Sequence, residues 1–245
     1  MARFSTANEI INRAAVEVGL LKVVDPVSSI DESFVQMTEL LNASGQELVE
    51  IHPWQKLVKT FSFTTAPADS GEYDLPDDFS YMIDQTGWDR SNNVAMGGPL
   101  SAQDWTYLLG RDLVSSTIYA SFRQFDGKLQ LFPQPPPAGL EISFEYISRN
   151  WVQEANSDPA VYNDTVQQGS DLVLYEPILA IKFLKAKFLE AKGFDSTASR
   201  LEFETMLGSR TGKDTGAPIL SAGNNSRRFP YLDGFYNVGD TGFGR

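Results

Sequence analysis

The feature that most constrains the fold is a change in apolar spacing along the chain. Apolar residues recur at helical intervals in residues 6–52 and 175–207, whereas they alternate with polar residues over much of the stretch between. Because these two periods belong to different elements, the chain must combine separate helical and β regions. We predict an α+β fold in which both chain ends form a helical bundle, an antiparallel β domain is inserted between them, and a C-terminal arm extends away.

The N-terminal helices carry recognisable start and stop signals. Thr6 and Glu9 have the spacing of a capping box, and this first helix is expected to end near residues 19–21. Asp31 is placed to cap a second, longer helix that Pro53 terminates. The pattern therefore predicts a helix pair at the start of the chain.

Helical spacing returns near the C-terminus. Residues 175–192 are apolar around most of the circumference, which is typical of the central helix of a bundle. A last helix is expected over 196–207, and the following residues are rich in glycine and lack a period. We divide the chain into a helical bundle (1–56 and 166–212), an inserted β domain (57–165) and an arm (213–245).

The β insertion has one strong local signal. Two alternating runs, 118–125 and 128–132, flank Asp126-Gly127, a dipeptide that favours the type I′ turn of a two-residue hairpin. Residues 57–65 and 140–147 also alternate and are predicted to be strands. Ser101 can cap a short helix within this region.

Composition removes several kinds of chemistry. The 245-residue chain has no cysteine and a single histidine, His52, so disulfides, thiolate zinc sites, cysteine nucleophiles and histidine pairs are excluded. We interpret His52 as a residue at a helix end that interacts with the helix dipole. Residues 208–214 (GSRTGKD) depart from the phosphate-binding loop in spacing and in the residue after lysine. No catalytic residue, metal or cofactor is predicted.

A dense run of carboxylates is the best basis for an enzymatic alternative. Six acidic residues lie within residues 72–89, and a glycosidase pair or a metal site would need acids of this type. Their spacing matches no calcium loop, and sequence clustering does not establish a catalytic pair. We interpret them as a solvated acidic edge, which also discourages pairing between sheet edges. The six are Glu72, Asp74, Asp77, Asp78, Asp84 and Asp89.

Charge and hydropathy limit the partners. The net charge is −12, and residues 57–165 alone carry 15 acidic and 6 basic side chains. Such a body repels phosphate backbones, so we expect no specific DNA binding, although DNA can pass along an acidic surface without sticking. No run of about 18 apolar residues is present, and the first residues do not have the pattern of a signal peptide. We therefore expect a soluble protein with no membrane partner.

The arm contains the residues most typical of an interface. Aromatics and arginines are enriched at binding hot spots, and a glycine-rich segment cannot bury them against itself. The alternative is that they pack back on the same subunit. A second candidate interface is a set of lysines on the central helix, for which a solvated face is the alternative. The arm residues are Arg227, Arg228, Phe229, Tyr231, Phe235, Tyr236 and Phe243, and the helix residues are Lys182, Lys185 and Lys192.

Four segments together resemble a known family. They are residues 48–54 (LVEIHPW) followed by 60–63 (TFSF), residues 73–79 (YDLPDDF) and 125–133 (FDGKLQLFP) of the β insertion, and residues 191–195 (AKGFD) at the end of the central helix. In this order, over about residues 5–207, the chain resembles the head-to-tail adaptors of short-tailed phages, the tail tubular protein A-like family.

The resemblance implies a structural subunit of the virion neck. Such a subunit would form a ring, typically a dodecamer, with the helical part under the portal protein and the β part facing the tail nozzle. DNA would pass through the lumen without specific binding, and assembly would take place in the host bacterial cytoplasm.

Two other functions remain as alternatives. A phage-associated peptidoglycan hydrolase would use two of the acids in 72–89, one of them with a raised pKa in a cleft. A carbohydrate- or receptor-binding β module would expose Trp88, Trp105 and Trp151 on one face, whereas a connector would bury most of them.

Overall fold

The computed structural model describes residues 4–66, 70–110 and 121–214. Its helices are α1 (Ala7–Glu17), α2 (Glu32–Ile51), α3 (Ala102–Gly110), α4 (Pro177–Ala191) and α5 (Thr197–Asp214), with a short 3-10 turn at Gln55–Leu57. None of these helices is long and apolar enough to cross a membrane, a finding that concerns the described residues only.

The strands form three antiparallel sheets. One sheet has the order β1-β12-β10-β11, one has the order β3-β8-β7, and in the largest β9 pairs with β2 on one edge and with β4 and β5 on the other, β5 then pairing with β6. Together with the helices these sheets confirm the α+β class. The strands are β1 (Ser5–Thr6), β2 (Val58–Thr64), β3 (Glu72–Asp74), β4 (Phe79–Met82), β5 (Trp88–Asp89), β6 (Val94–Ala95), β7 (Ser121–Phe125), β8 (Lys128–Phe132), β9 (Glu141–Ser148), β10 (Val152–Gln153), β11 (Tyr162–Asn163) and β12 (Leu172–Val173).

The predicted helix caps are present at the N-terminal helices. The Thr6 hydroxyl accepts from the Glu9 amide, and the Glu9 carboxylate accepts from the Thr6 amide, which completes the capping box of α1. Asp31 accepts from the Ser33 amide at 2.8 Å and caps α2. Helix α1 ends at Glu17, slightly before the predicted end, because the Val18 and Gly19 amides turn back to the last carbonyls.

Helix α4 is surrounded by other helices. It contacts α1, α2 and α5, and it buries residues on most of its circumference, as its apolar composition predicts. Phe183 of α4 stacks on Phe203 of α5 with ring centroids 4.1 Å apart. Pro177 occupies the first turn, where its missing amide proton costs nothing.

The end of the last helix was predicted wrongly. Helix α5 continues through Gly208 and Gly212 to Asp214, rather than ending at residue 207, so residues 213 and 214 are helical and not part of an arm. Its last turns are attached to the body: Asp214 Oδ2 accepts the Gln55 amide at 2.8 Å, and Arg210 lies 3.4 Å from Glu176. These tertiary contacts outweigh the low helix propensity of two glycines.

The predicted hairpin is confirmed in its described part. Strands β7 and β8 pair in register across Asp126 and Gly127, whose φ values of 51° and 69° are those of a type I′ turn. In the largest sheet, Phe61 of β2 lies opposite Phe144 of β9, and their rings meet edge to face at 5.6 Å.

Two hydrophobic cores share strand β9. The helical core collects residues of α1, α2, α4 and α5 together with Trp151, Val152 and Val173. The sheet core is formed by residues of the largest sheet and of the β3-β8-β7 sheet and includes Phe122, Leu129 and Phe144. Tyr146 belongs to the sheet core while its neighbour Ile147 belongs to the helical core, because successive side chains of a strand point to opposite faces. The cores therefore meet within β9, and residues before our predicted boundary at 165 contribute to the helical core.

Candidate interaction surfaces

The predicted arm lies outside the described residues. Arg227, Arg228, Phe229, Tyr231, Phe235, Tyr236 and Phe243 all fall in 215–245. The described chain reaches Asp214, whose carboxylate lies 3.6 Å from His52 Nε2 at the end of α2. The last described residue therefore lies next to the junction between α2 and β2, and the helix-end position predicted for His52 is confirmed.

Two of the predicted interface lysines form ion pairs within the subunit. Lys182 Nζ donates to Glu202 at 2.8 Å and lies 3.4 Å from Glu17, and Lys185 Nζ lies 3.2 Å from the same Glu17 oxygen. The hydrogen bond to Glu202, together with the charge of Glu17, raises the pKa of Lys182. The same hydrogen bond lowers the pKa of Glu202. These lysines thus connect α4 to α1 and α5.

Lys192 has a different setting from the other two. It is the exposed C-terminal cap residue of α4, and its ammonium group lies 5.5 Å from the centre of the Phe188 ring. A cation at this position also interacts favourably with the helix dipole. Lys192 is therefore the most exposed of the three lysines.

Asp78 is a partly buried carboxylate that accepts three side-chain hydrogen bonds in the β region. It accepts hydrogen bonds from Lys59 Nζ, from the Tyr146 hydroxyl at 2.8 Å and from the Ser148 hydroxyl at 2.7 Å. Burial alone would raise the pKa of Asp78, but these three donors and the charge of Lys59 lower it overall. A general acid needs a raised pKa, so the environment of Asp78 is that of a structural carboxylate.

Three of the other acids of 72–89 have separate partners, and Asp77 and Asp84 are exposed. Buried Asp89 accepts from the Ser91 and Asn92 amides and holds the turn that follows β5. Glu72 accepts from Gln130 across the sheet, and the exposed Asp74 lies 3.4 Å from Lys128. Among the residues that the structure describes, no group of three acids or histidines is placed to hold a metal ion.

The tryptophans do not form an exposed face. Trp105 and Trp151 are buried, and Trp88 is half-buried with the Arg90 guanidinium over its ring at 5.9 Å. Trp151 stacks on Tyr175 with ring centroids 5.7 Å apart, and the Tyr175 hydroxyl donates to the Gly45 carbonyl at 2.8 Å. These rings pack the interior and cannot provide the aromatic platform of a sugar-binding module.

An exposed surface that we did not predict lies between α1 and α2. In the apolar loop, residues 20–30, the side chains of Leu21, Val24 and Ile30 are 86%, 99% and 99% exposed. Aliphatic side chains fully surrounded by water, several in one short segment, are typical of interaction sites. The sequence signal is the apolar run LLKVV at residues 20–24, which lies at and just beyond the predicted helix end at 19–21.

Hydrogen bonds and packing against the helical core fix the backbone of the apolar loop. The Asn12 side chain donates to the Val23 carbonyl at 2.9 Å and accepts from its amide at 3.0 Å. Val23 and Val27 pack against the helical core, and Asp25 accepts from the Ser28 amide. The hydrogen bonds from Ser28 lower the pKa of Asp25. The exposed side chains therefore stand on an ordered backbone and are not the result of a frayed segment.

Two cations and one carboxylate lie beside the apolar loop. Glu9, Arg13, Lys22 and Val24 are among the residues that line one shallow depression of about 540 Å³. Neither Arg13 nor Lys22 forms an ion pair with any residue in the described ranges, whereas most lysines of α4 do. On a chain with a net charge of −12, this surface is suited to an acidic partner.

A groove lies in the helical region, at the other end of α2 from the apolar loop. Its floor is formed by Ile51 of α2, Phe183 and Ala186 of α4, and Phe203 of α5, and its volume is about 250 Å³. Ile51 is 47% exposed there. We call this the helical groove. Three of the five charged residues at its rim are acidic: the rim consists of Glu47, Lys187, Glu190, Arg200 and Glu204.

The β region exposes a smaller apolar set. Tyr107 and Leu109 on α3 and Phe125 at the end of β7 are each about half exposed. The Arg123 guanidinium lies 4.6 Å from the centre of the Phe125 ring and covers one face of it. This set adjoins residues 111–120, which are outside the described part of the chain.

Comparison with known proteins supplies a family. The sequence model described as SU10 adaptor protein matches residues 5–227, and so covers both cores, all of α5 and the beginning of the C-terminal segment. The match extends beyond residue 207, where the resemblance seen in the sequence ended. No curated protein matches the chain significantly.

Proposed function

The chain belongs to the SU10 adaptor protein family of phage head-to-tail adaptors, and from this premise we propose that it is a ring subunit joining the portal to the tail nozzle. The observation that carries the proposal is the family match over residues 5–227, which spans nearly all of the described chain. Membership of this family supports a structural role in the phage virion.

The proposal assigns different contacts to the two regions. The helical region, built from both parts of the chain, faces the portal and forms the ring, and the β region faces the tail nozzle. The ring is a dodecamer of the tail tubular protein A type. Its acidic surface lines a channel through which DNA moves during ejection, since clustered carboxylates repel phosphates and do not retain them.

A structural role without catalysis also fits the chemistry of the described residues. Of the six carboxylates that could serve a hydrolase, Glu72, Asp78 and Asp89 accept hydrogen bonds within the fold. The pKa of Asp78 is lowered, the direction opposite to that of a general acid. Zymography on bacterial cell wall should show no clearing. Clearing that disappears in Asp78→Asn but persists in Asp74→Asn would support a hydrolase instead.

We place the attachment to the portal or to a neighbouring subunit in the C-terminal segment. Its aromatics and Arg227 and Arg228 need a surface, because a glycine-rich segment offers few apolar neighbours of its own. Burial of each ring contributes about 1–3 kcal/mol before ordering costs, and repetition around a ring strengthens the joint. The segment starts at residue 215, after the helix that ends at Asp214.

Electron microscopy tests the proposal directly. Purified chain, alone and mixed with the portal protein of the same phage, is examined by negative-stain class averaging. We expect closed rings, at least in the mixture. Monomers in both samples, or irregular aggregates without portal binding, would contradict the adaptor function.

Removal of residues 215–245 tests the arm separately. The truncated protein should remain folded, because the contacts of Asp214 with Gln55 and His52 are retained. It should fail to bind the portal in a co-sedimentation assay. Portal binding equal to that of the full chain would show that this segment is not the attachment.

A further inference from the structure

We propose that the apolar loop of one copy of this chain docks into the helical groove of the adjacent copy, and that this contact closes the ring. The proposal rests on the proposed ring function and names the surfaces that build it. The loop contributes Leu21, Val24 and Ile30, and the groove contributes the floor at Ile51, Phe183 and Phe203.

The loop has the properties of a preorganised ligand. Its backbone is fixed by the two hydrogen bonds of Asn12 to Val23 and by the packing of Val23 and Val27. Binding therefore costs little conformational entropy, and it removes the three exposed aliphatic side chains from water. Their exposure is a property of the folded subunit that a partner removes.

Charge favours the groove as the receiving surface. Arg13 beside the loop and Lys22 within it have no ion-pair partner in the described residues, and they outnumber Glu9, which lines the same depression. The rim of the groove carries Glu47, Glu190 and Glu204 against two cations with which these acids pair, so its net charge is −1. The two surfaces are therefore both apolar and carry net charges of opposite sign, +1 and −1.

Distance directs the contact to another subunit. Ile30 precedes α2 and Ile51 is its last residue, so the 20-residue helix separates them by about 30 Å. A loop anchored to the helical core cannot fill the groove at the far end of the same helix. Two different patches that are complementary across copies form a heterologous interface, and such an interface closes into a ring when the rotation allows it.

Cross-linking provides a direct test because the native chain contains no cysteine. Val24→Cys in an affinity-tagged full-length chain and Ile51→Cys in an untagged chain are purified separately, mixed, and treated with a short bis-maleimide. We expect a cross-linked heterodimer in at least about tenfold higher yield than for the matched pair Val24→Cys with Val94→Cys, because docking raises the effective concentration of the two thiols. Val94 is also exposed but lies in the β region.

The outcomes separate this inference from the proposed function. Rings in the micrographs with a cross-linking yield equal to that of the control pair would overturn the loop contact and leave the adaptor function standing. Absence of both rings and cross-links would overturn both. A cross-link that forms only between Val24→Cys and the portal would assign the loop to the portal and contradict the inference.

A second variant checks the same contact without cysteines. Combined Leu21→Ser, Val24→Ser and Ile30→Ser replaces side chains that pack against nothing in the subunit, so the melting temperature should stay within a few degrees of the wild type. Ring assembly should require at least about tenfold more protein, since three apolar contacts per interface are lost. Val94→Ser with Val161→Ser is the control, and unchanged assembly of the triple variant would refute the proposal.

Discussion

The helical and sheet cores differ in what holds them together. The helical core is a close packing of aliphatic residues around Trp151, with several helices contacting α4. The sheet core combines aliphatic residues with aromatic rings that pack in pairs, such as Phe144 with Phe61 and with Tyr146. Beside it, Asp78 accepts three hydrogen bonds. The stability of the helical region therefore depends on how completely side chains fill its core, whereas the stability of the β region depends on hydrogen bonds as well. Changes in side-chain volume should affect the first most, and loss of a hydrogen-bonding group should affect the second.

The largest expected effect is a cavity in the helical core. Leu184 is fully buried on α4, and Leu184→Ala should lower the free energy of unfolding by about 2–5 kcal/mol, since the surrounding helices cannot collapse onto the space. Leu201→Ala, at an exposed position of α5, is the control and should change it by less than about 0.5 kcal/mol. Urea titration measures both. A small loss for Leu184→Ala would mean that the helical core is loosely packed.

The next effect comes from adding volume. A Cβ at residue 45 would overlap the Trp151 ring, so Gly45→Ala should destabilise the protein by about 1–3 kcal/mol despite the better helix propensity of alanine. Gly208→Ala in α5 meets open space and should stabilise by up to about 1 kcal/mol. Thermal unfolding of the two variants in opposite directions checks the prediction, and a stabilised Gly45→Ala would contradict it.

An intermediate effect is expected at Asp78, and it should depend on pH. Asp78→Asn weakens three hydrogen bonds, and we expect a loss of about 1–3 kcal/mol at pH 7. The folded protein lowers the pKa of Asp78, so the stability it contributes is present above the ordinary carboxyl pKa near 4 and is lost as the pH falls through the lower, folded-state pKa. The difference between wild type and variant should therefore shrink on acidification.

Urea titrations at several pH values measure that difference. Asp74→Asn serves as the control, because Asp74 is largely exposed and its contact with Lys128 is open to solvent. A gap between wild type and Asp78→Asn that stays constant down to pH 2 would show that the carboxylate charge does not stabilise the β region.

The smallest effect is expected at the ion pairs between helices. Lys182→Met removes the contacts to Glu202 and Glu17, yet the pairs are open to solvent and should contribute below about 1 kcal/mol. High salt should reduce the difference from wild type further. A larger loss that persists in 1 M salt would mean that Lys182 is more important to the helical region than its exposure indicates.

Parts of the fold with local causes could be predicted from the sequence. The capping box of Thr6 and Glu9, the type I′ turn at Asp126-Gly127 and the apolar circumference of α4 each arise from neighbouring residues, and each is present. The extent of α5 could not be predicted, because Gly208 and Gly212 favour a helix end and contacts of Asp214 and Arg210 with distant residues reverse that preference.

The interaction surfaces divide in the same way. The sequence alone determined that this chain has neither the cysteines nor the paired histidines that much of catalysis needs, and it predicts that the aromatic residues of 215–245 bind a partner. Only the tertiary structure decided that Lys182 and Lys185 form ion pairs within the subunit. It also decided that Leu21, Val24 and Ile30 are exposed to solvent. Composition and short-range spacing are properties of the chain, whereas exposure depends on which distant residues pack against a side chain, and that is settled when the cores form.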